Sequence, residues 1–231
     1  MTPDLLQAVL AARAAGRAVT MATRLADGLQ YLLPDPAAPA AVTAAAAAPL
    51  AIEDARMVDL AGETWFLQLE APAPRLLIVG AVHIAQALAP MAAIVGFAPT
   101  ILDPRRSFAT VERFPGVTLR QDWPDAAMDA LAPDARTAIV ALTHDPKLDD
   151  PALDRALRSE SFFIGALGSR KTHAARLQRL AALGHAQDSL ARIRGPVGLA
   201  IGARTAAEIA LSILAELVAA RRGAALGMRS S

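Results

Sequence analysis

From residue 75 onward, short apolar segments alternate with longer segments that have helical periodicity. Residues 75–80 (RLLIVG) are apolar after Arg75 and end in a glycine, which is typical of a parallel strand buried on both faces. The pattern predicts further strands at 100–103, 117–120, 137–142 and 162–165, and helices at 83–95, 124–131, 170–183 and 205–221, with another helix that starts at Pro151. Asp150 and Pro151 have the features of a cap and a first helical residue. Alternating strands and helices indicate βαβ units, so we expect a Rossmann-like, doubly wound parallel sheet in an α/β protein.

The first 73 residues follow a different pattern. Helical spacing over 4–15 is followed by candidate strands at 19–23 and 65–69, and the Pro- and Ala-rich segment 34–49 is expected to be a surface connection. The sequence Ala-Pro-Ala-Pro at 71–74 breaks regular structure. We therefore predict a small α+β N-terminal domain at 1–73 and a Rossmann-like domain at 74–231.

Composition narrows the classes of function. The formal net charge is +1, which disfavours binding to nucleic acid or to an acidic membrane surface. The chain has no cysteine, so disulfides, thiolate metal sites and cysteine nucleophiles are excluded within it. We find neither a signal peptide nor an apolar segment long enough to span a bilayer, and therefore expect a cytoplasmic protein.

The turn after the first strand of the second domain resembles an incomplete dinucleotide fingerprint. Gly80 and Ala85 occupy two of its small-residue positions, but Val82 stands where a second glycine would let the backbone approach a pyrophosphate. His83 opens the following helix. Asp103 ends the second strand, where an acid that binds ribose belongs, and Arg105 follows it. The alternative is an ordinary tight turn of the sheet with no ligand.

The segment after the strand at 137–142 is Thr-His-Asp-Pro-Lys-Leu-Asp. In a doubly wound sheet this strand neighbours the strand at 75–80, and ligands bind at the carboxyl ends where the strand order reverses. His144, Asp145 and Lys147 are therefore candidates for binding or acid–base chemistry. Alternatively, Asp145 and Asp149 form turn and cap hydrogen bonds, and His144 is a solvated loop residue.

Two more glycine-containing loops carry cations. Gly168 and Ser169 precede Arg170 and Lys171, which would lie in the first turn of a helix and oppose its dipole unless an anion offsets them. This pattern favours a phosphate site, although an ordinary capped helix explains it equally well. Gly198, Gly202 and Arg204 form the last loop, after which Thr205 and Glu208 fit a capping box.

Taken together, these four segments resemble the XdhC/CoxI family of accessory proteins of xanthine dehydrogenase and carbon monoxide dehydrogenase, over about residues 75–220. The resemblance implies a Rossmann domain, homodimerisation and binding of molybdenum cofactor (molybdopterin), either alone or in a nucleotide form. It implies that the cofactor is protected during sulfuration and delivered to a xanthine dehydrogenase-type molybdoenzyme. Because there is no cysteine, a separate cysteine desulfurase must supply the sulfur.

Two other functions remain open at this point. The turn at Gly80 and Asp103 fits an NAD(P)-dependent oxidoreductase, whereas Val82 opposes it. The other is a phosphate-ester or metal-dependent hydrolase that uses His83, His144, Asp145 and Asp149, but the sequence contains neither an H-E-x-x-H nor a G-x-S-x-G motif. The catalytic residues, if there are any, are not identified, and no metal ligands are predicted.

Overall fold

The computed structural model describes residues 2–47 and 55–224. Its contacts divide the chain into two compact units, Met1–Pro72 and Ala73–Ser231, which are described separately below.

The first unit contains helices and a four-stranded antiparallel sheet. Its elements are α1 (Pro3–Ala14), β1 (Val19–Arg24), β2 (Gln30–Leu33), α2 (Ala40–Ala47), β3 (Ala55–Leu60) and β4 (Glu63–Glu70). The strand order in the sheet is β2-β1-β4-β3. Ala22 and Leu67, paired across β1 and β4, are fully buried and pack with Trp65, Leu33 and Val42. This architecture confirms the expected small α+β region.

The prediction of a surface connection at 34–49 was wrong in its second half. Residues 40–47 form α2, and residues 48 and 49 lie outside the described part of the chain. Alanine has the highest intrinsic helix propensity, so the Ala-rich part can form a helix once the three prolines at 34, 36 and 39 have passed. Val42 is buried in the core of the unit and anchors this helix.

The second unit contains a six-stranded, wholly parallel sheet with helices between its strands. Its elements are β5 (Arg75–Val79), α3 (His83–Ile94), β6 (Ala98–Leu102), β7 (Thr118–Arg120), α4 (Pro124–Leu131), β8 (Thr137–Ala141), α5 (Pro146–Arg158), β9 (Phe163–Ala166), α6 (Arg170–Ala182), α7 (Gln187–Leu190), β10 (Ile193–Arg194) and α8 (Ala206–Arg221). The strand order is β10-β9-β8-β5-β6-β7, which confirms the Rossmann-like expectation.

Side chains of the central strands are buried on both faces of this sheet. In β5, Leu76 and Ile78 belong to one hydrophobic cluster, and Leu77 and Val79 belong to the cluster on the opposite face. This alternation explains why the strand is apolar after Arg75. Within the described part of the chain, no helix combines the length and apolar character that crossing a membrane requires.

The start of α5 differs from the prediction. The helix begins at Pro146 rather than Pro151, and the Asp145 side chain caps it by accepting a hydrogen bond from the Lys147 backbone N–H. Asp145 and Pro146 thus supply, five residues earlier, the two features that suggested a start at Asp150 and Pro151. Pro151 is accommodated inside the helix.

Candidate functional site

The predicted site segments lie at the carboxyl edge of the six-stranded sheet. Strand β5 lies between β8 and β6, so the chain leaves β5 toward one side and later returns on the other. This reversal leaves a crevice at the carboxyl ends of β5 and β8, where doubly wound proteins bind ligands. The turns that follow β5, β6, β8 and β9 all open toward this edge because the strands are parallel.

The turn after β5 packs tightly against the turn after β8. Gly80 has a φ of +109°, and a Cβ atom at this position would overlap Cγ2 of Thr143. Only glycine satisfies both constraints. Val82 is half-buried and packs against the core, whereas His83 is exposed at the first position of α3. Among the described residues, no hydrogen bond or ion pair joins His83 to His144.

Asp103, the residue placed where a ribose-binding acid belongs, is fully buried and bonded to its own chain. Its Oδ1 accepts from the Arg105 backbone N–H (3.0 Å) and Nε (2.9 Å), and its Oδ2 accepts from the Ala81 N–H (2.8 Å) and Arg105 Nη2 (2.7 Å). Burial alone would raise the pKa of Asp103, but these hydrogen bonds hold it below its ordinary value. Asp103 therefore fixes the first turn as a carboxylate that is charged at neutral pH.

The turn after β8 is organised by Asp149, from the first part of α5. The Asp149 carboxylate accepts from the Thr143 hydroxyl (2.6 Å), the Thr143 N–H (3.3 Å) and the His144 N–H (3.1 Å). His144 has a φ of +60°, an uncommon conformation for a residue with a side chain. Asp149 thereby holds His144 in a left-handed conformation with its side chain exposed.

A buried ion pair connects this turn with α6. Nη2 of Arg176 contacts Asp149 Oδ2 (3.3 Å) and donates to the carbonyl of Leu167 (3.0 Å); both charged side chains are at most 2% exposed. Burial raises the pKa of Asp149, and the Thr143 hydroxyl and the Arg176 charge offset only part of that effect. Nε and Nη1 of Arg176 have no hydrogen-bond partner in the described part of the chain.

The turn after β9 adjoins His144. A Cβ atom on Gly168, whose φ is +145°, would lie 3.7 Å from His144 Nδ1 and 3.3 Å from the Thr172 side chain. Ser169 caps α6 by accepting from the Thr172 N–H, as expected. Arg170 and Lys171 are exposed in the first helical turn and, among the described residues, form no ion pair. They are consequently available to an anion at this edge.

The last predicted loop is anchored mainly by α8. The Gly198 N–H donates to Glu216 (2.6 Å), and Gly198 packs closely against Ser212.

The expected capping box of Thr205 and Glu208 is present, and Glu208 also accepts from the Arg204 N–H. Gly202 and Arg204 are exposed, and the contacts described for them lie within this loop and α8. The structure thus brings together the turns after β5, β6, β8 and β9, but gives no direct contact that adds Gly202 or Arg204 to them.

Two cavities formed by described residues lie away from this edge. A cavity of about 380 Å³ is lined by Met128, Asp129 and Arg155, and one of about 250 Å³ by Ser161 and Arg192; both lie toward the amino ends of the strands, opposite the site. In the described ranges, no three His, Asp or Glu side chains are grouped closely enough to hold a metal ion.

Sequence reasoning did not identify two of the residues that organise this edge. Arg176 lies in the middle of a predicted helix and is buried against Asp149. Glu216 is similarly placed in α8, where it accepts from Gly198 and contacts Arg194. A charged residue on the buried stripe of an amphipathic helix is the signal that could have revealed both.

Comparisons with known proteins agree with this geometry. Residues 76–217 match the family described as the XdhC Rossmann domain. The chain is 37% identical over 150 residues to the molybdenum cofactor insertion chaperone PaoD of Escherichia coli, covering 65% of this chain and 41% of that protein. It is 34% identical over 165 residues to the uncharacterized protein YqeB of the same organism, covering 71% of this chain and 30% of YqeB.

A third relative is a probable xanthine dehydrogenase subunit of Bacillus subtilis, 32% identical over 162 residues, covering 70% of this chain and 47% of that protein. The chain therefore spans less than half the length of these curated relatives. The crystal structure of a xanthine dehydrogenase from Bacillus halodurans aligns with a TM-score of 0.74 at 23% identity, covering 96% of this chain and 65% of that one. This last similarity shows the shared fold.

Proposed function

This chain belongs to the XdhC family, and we propose that it binds molybdenum cofactor and supports its insertion into a xanthine dehydrogenase-type molybdoenzyme. The observation that carries the proposal is the convergence of the turns after β5, β8 and β9, which brings exposed His144 beside Gly168, two residues before the first of two exposed cations. The roles for which PaoD and the Bacillus subtilis relative are named support it.

The chemistry of this edge fits a pterin that carries a phosphate. Ser169 leaves the first backbone N–H groups of α6 directed at the crevice, where the helix dipole favours a negative charge. Arg170 and Lys171 would pair with the phosphate, and His144, Asp145 and Lys147 would border the rest of the ligand. When bound, the cofactor supplies the molybdenum centre that the target enzyme uses, and this chain's residues hold and shield it.

Sulfuration requires a second protein in this proposal. These 231 residues contain no cysteine and thus no thiol that could carry a persulfide. A cysteine desulfurase would deliver sulfur to the bound cofactor before its transfer to the molybdoenzyme. We also propose that the protein is cytoplasmic and forms a homodimer. Light scattering of the purified protein would test the dimer.

Titration of the purified protein with isolated molybdenum cofactor tests the binding proposal. We expect saturable binding, and a loss of affinity of about tenfold for each of Arg170→Ala and Lys171→Ala, as for the loss of one hydrogen bond to a charged group. Arg17→Ala, which removes an exposed cation of the N-terminal unit, is the matched control and should bind like wild type. Absence of binding by the wild type would refute the proposed function.

The alternative, an NAD(P)-dependent oxidoreductase, is favoured by the Gly80 turn at the switch point of a parallel sheet. Fluorescence titration with the reduced nicotinamide cofactors separates the two functions. Tight, saturable binding accompanied by hydride transfer would replace the cofactor-binding proposal.

A further inference from the structure

The carboxylate at the end of β6 is saturated by its own chain. A carboxylate offers about four acceptor positions, and Asp103 uses four: two toward the backbone N–H groups of Ala81 and Arg105, and two toward the Arg105 guanidinium. It has no exposed surface. In this form Asp103 cannot accept a hydrogen bond from a ligand.

Arg105, whose guanidinium occupies two acceptor positions of Asp103, is itself held in place. The Arg105 guanidinium lies 4.4 Å from the centre of the Phe108 ring, and Arg113 lies 5.7 Å from the same ring. Arg113 also donates to the Phe108 carbonyl (2.6 Å) and to Gln86 of α3 (3.2 Å). The loop that carries Phe108 is thereby attached to α3, and Arg105 is confined between the ring and the carboxylate.

The position of Asp103 in the fold indicates which ligand group the Arg105 side chain excludes from it. In dinucleotide-binding folds, an acid about 20 residues beyond the first glycine accepts hydrogen bonds from the ribose hydroxyls. Asp103 occupies that position, at the end of the strand that neighbours β5. A nucleoside lying over β6 would find a guanidinium and a phenyl ring instead of an acceptor for its diol.

We propose that Arg105 determines which form of ligand this site takes: by occupying Asp103, it denies a nucleoside ribose any binding energy at the end of β6. This inference rests on the proposed binding of molybdenum cofactor. It implies that the site recognises the pterin phosphomonoester and gains nothing from a nucleotide attached to that phosphate.

The test is a comparison of two ligands, the phosphomonoester form of molybdenum cofactor and its cytidine dinucleotide form. Wild type should bind both with the same affinity within a factor of about three. Arg105→Ala leaves two acceptor positions on Asp103 free, so the dinucleotide should gain about tenfold relative to the phosphomonoester, as expected for one hydrogen bond to a charged group. Because both ligands share the pterin, this ratio is insensitive to a general loss of active protein.

Two further variants complete the design. Arg106→Ala removes the adjacent exposed arginine, whose side chain has no described hydrogen bond or ion pair, and should keep the wild-type ratio. Arg105→Lys keeps the charge but cannot bond both carboxylate oxygens in the same planar manner, so it should shift the ratio in the same direction as Arg105→Ala. It takes the place of Arg105→Ala in the test if that variant does not fold.

The outcomes separate the two proposals. A wild type that prefers the dinucleotide tenfold, or an Arg105→Ala or Arg105→Lys protein with an unchanged ratio, overturns the role of Arg105 while leaving cofactor binding intact. Failure of wild type to bind either form overturns the proposed function and this inference with it.

Discussion

Replacing Gly80 by alanine perturbs the point at which two turns of the site meet. The new methyl group would overlap Cγ2 of Thr143 and would lie 3.4 Å from the Thr143 backbone nitrogen. The backbone would also keep a φ of +109°, which residues other than glycine rarely adopt. The variant therefore carries two separable penalties, one of conformation and one of space.

The magnitudes follow from these two effects. Backbone strain of this kind costs about 1–3 kcal/mol, and overpacking by one methyl group costs about 1–3 kcal/mol more. Gly184→Ala is the matched control, since its φ is +93° and nothing lies within 4 Å of the position that its methyl group would take. It should show only the strain, so Gly80→Ala should reduce the free energy of unfolding by about 1–3 kcal/mol more than Gly184→Ala.

Urea denaturation of the single and double variants measures both effects. Thr143→Ser removes Cγ2 but keeps the hydroxyl that donates to Asp149. Combined with Gly80→Ala, it should restore most of the loss caused by the overlap, which appears as a coupling free energy in a double-mutant cycle. Equal destabilisation by Gly80→Ala and Gly184→Ala, or a cycle without coupling, would refute the close-packing argument.

Two further predictions concern other parts of the second unit. Because hydrogen bonds hold the pKa of Asp103 below its ordinary value of 3.8, its charged form stabilises the fold at neutral pH, and that contribution is lost as the pH falls below 3.8 through the lowered pKa. Asp103→Asn should therefore be less stable than wild type at pH 7, and the difference should shrink as the pH falls below 3.8 in denaturation experiments; a constant difference would contradict this account. Thr205→Ala should lower the free energy of unfolding by about 1 kcal/mol through loss of the α8 cap. An unchanged midpoint of thermal unfolding, compared with the exposed substitution Ala207→Ser, would show that the cap contributes nothing.

The fold was predictable where one signal dominated. Strands β5, β8 and β9 are buried on both faces, so their sequences are apolar after the first residue and end in, or shortly before, small or polar turn residues. Strands β2, β3 and β10 were not predicted because they are short or half-exposed and mix polar with apolar residues. Their pairing depends on neighbouring strands, and a local sequence pattern does not contain that information.

The loops that form the site could be predicted from the sequence, but the hydrogen bonds and the ion pair that hold them could not. Parallel strands bring their carboxyl ends to one edge, so the approach of Gly80, His144 and Gly168 followed from topology. The saturation of Asp103 depends on how the Arg105 side chain folds back over two residues, which composition does not determine. The contact between Asp149 and Arg176 joins residues 27 positions apart on different helices.

Arg176 couples the turn at His144 to the turn at Gly168. A single guanidinium nitrogen contacts both Asp149, which holds the His144 turn, and the Leu167 carbonyl, which precedes the Gly168 turn. Neither turn can move far without disturbing a contact of the buried Arg176 side chain, and loss of a partner by a buried charged group is costly. The two walls of the crevice consequently shift in concert, and a ligand that orders one of them has already ordered the other.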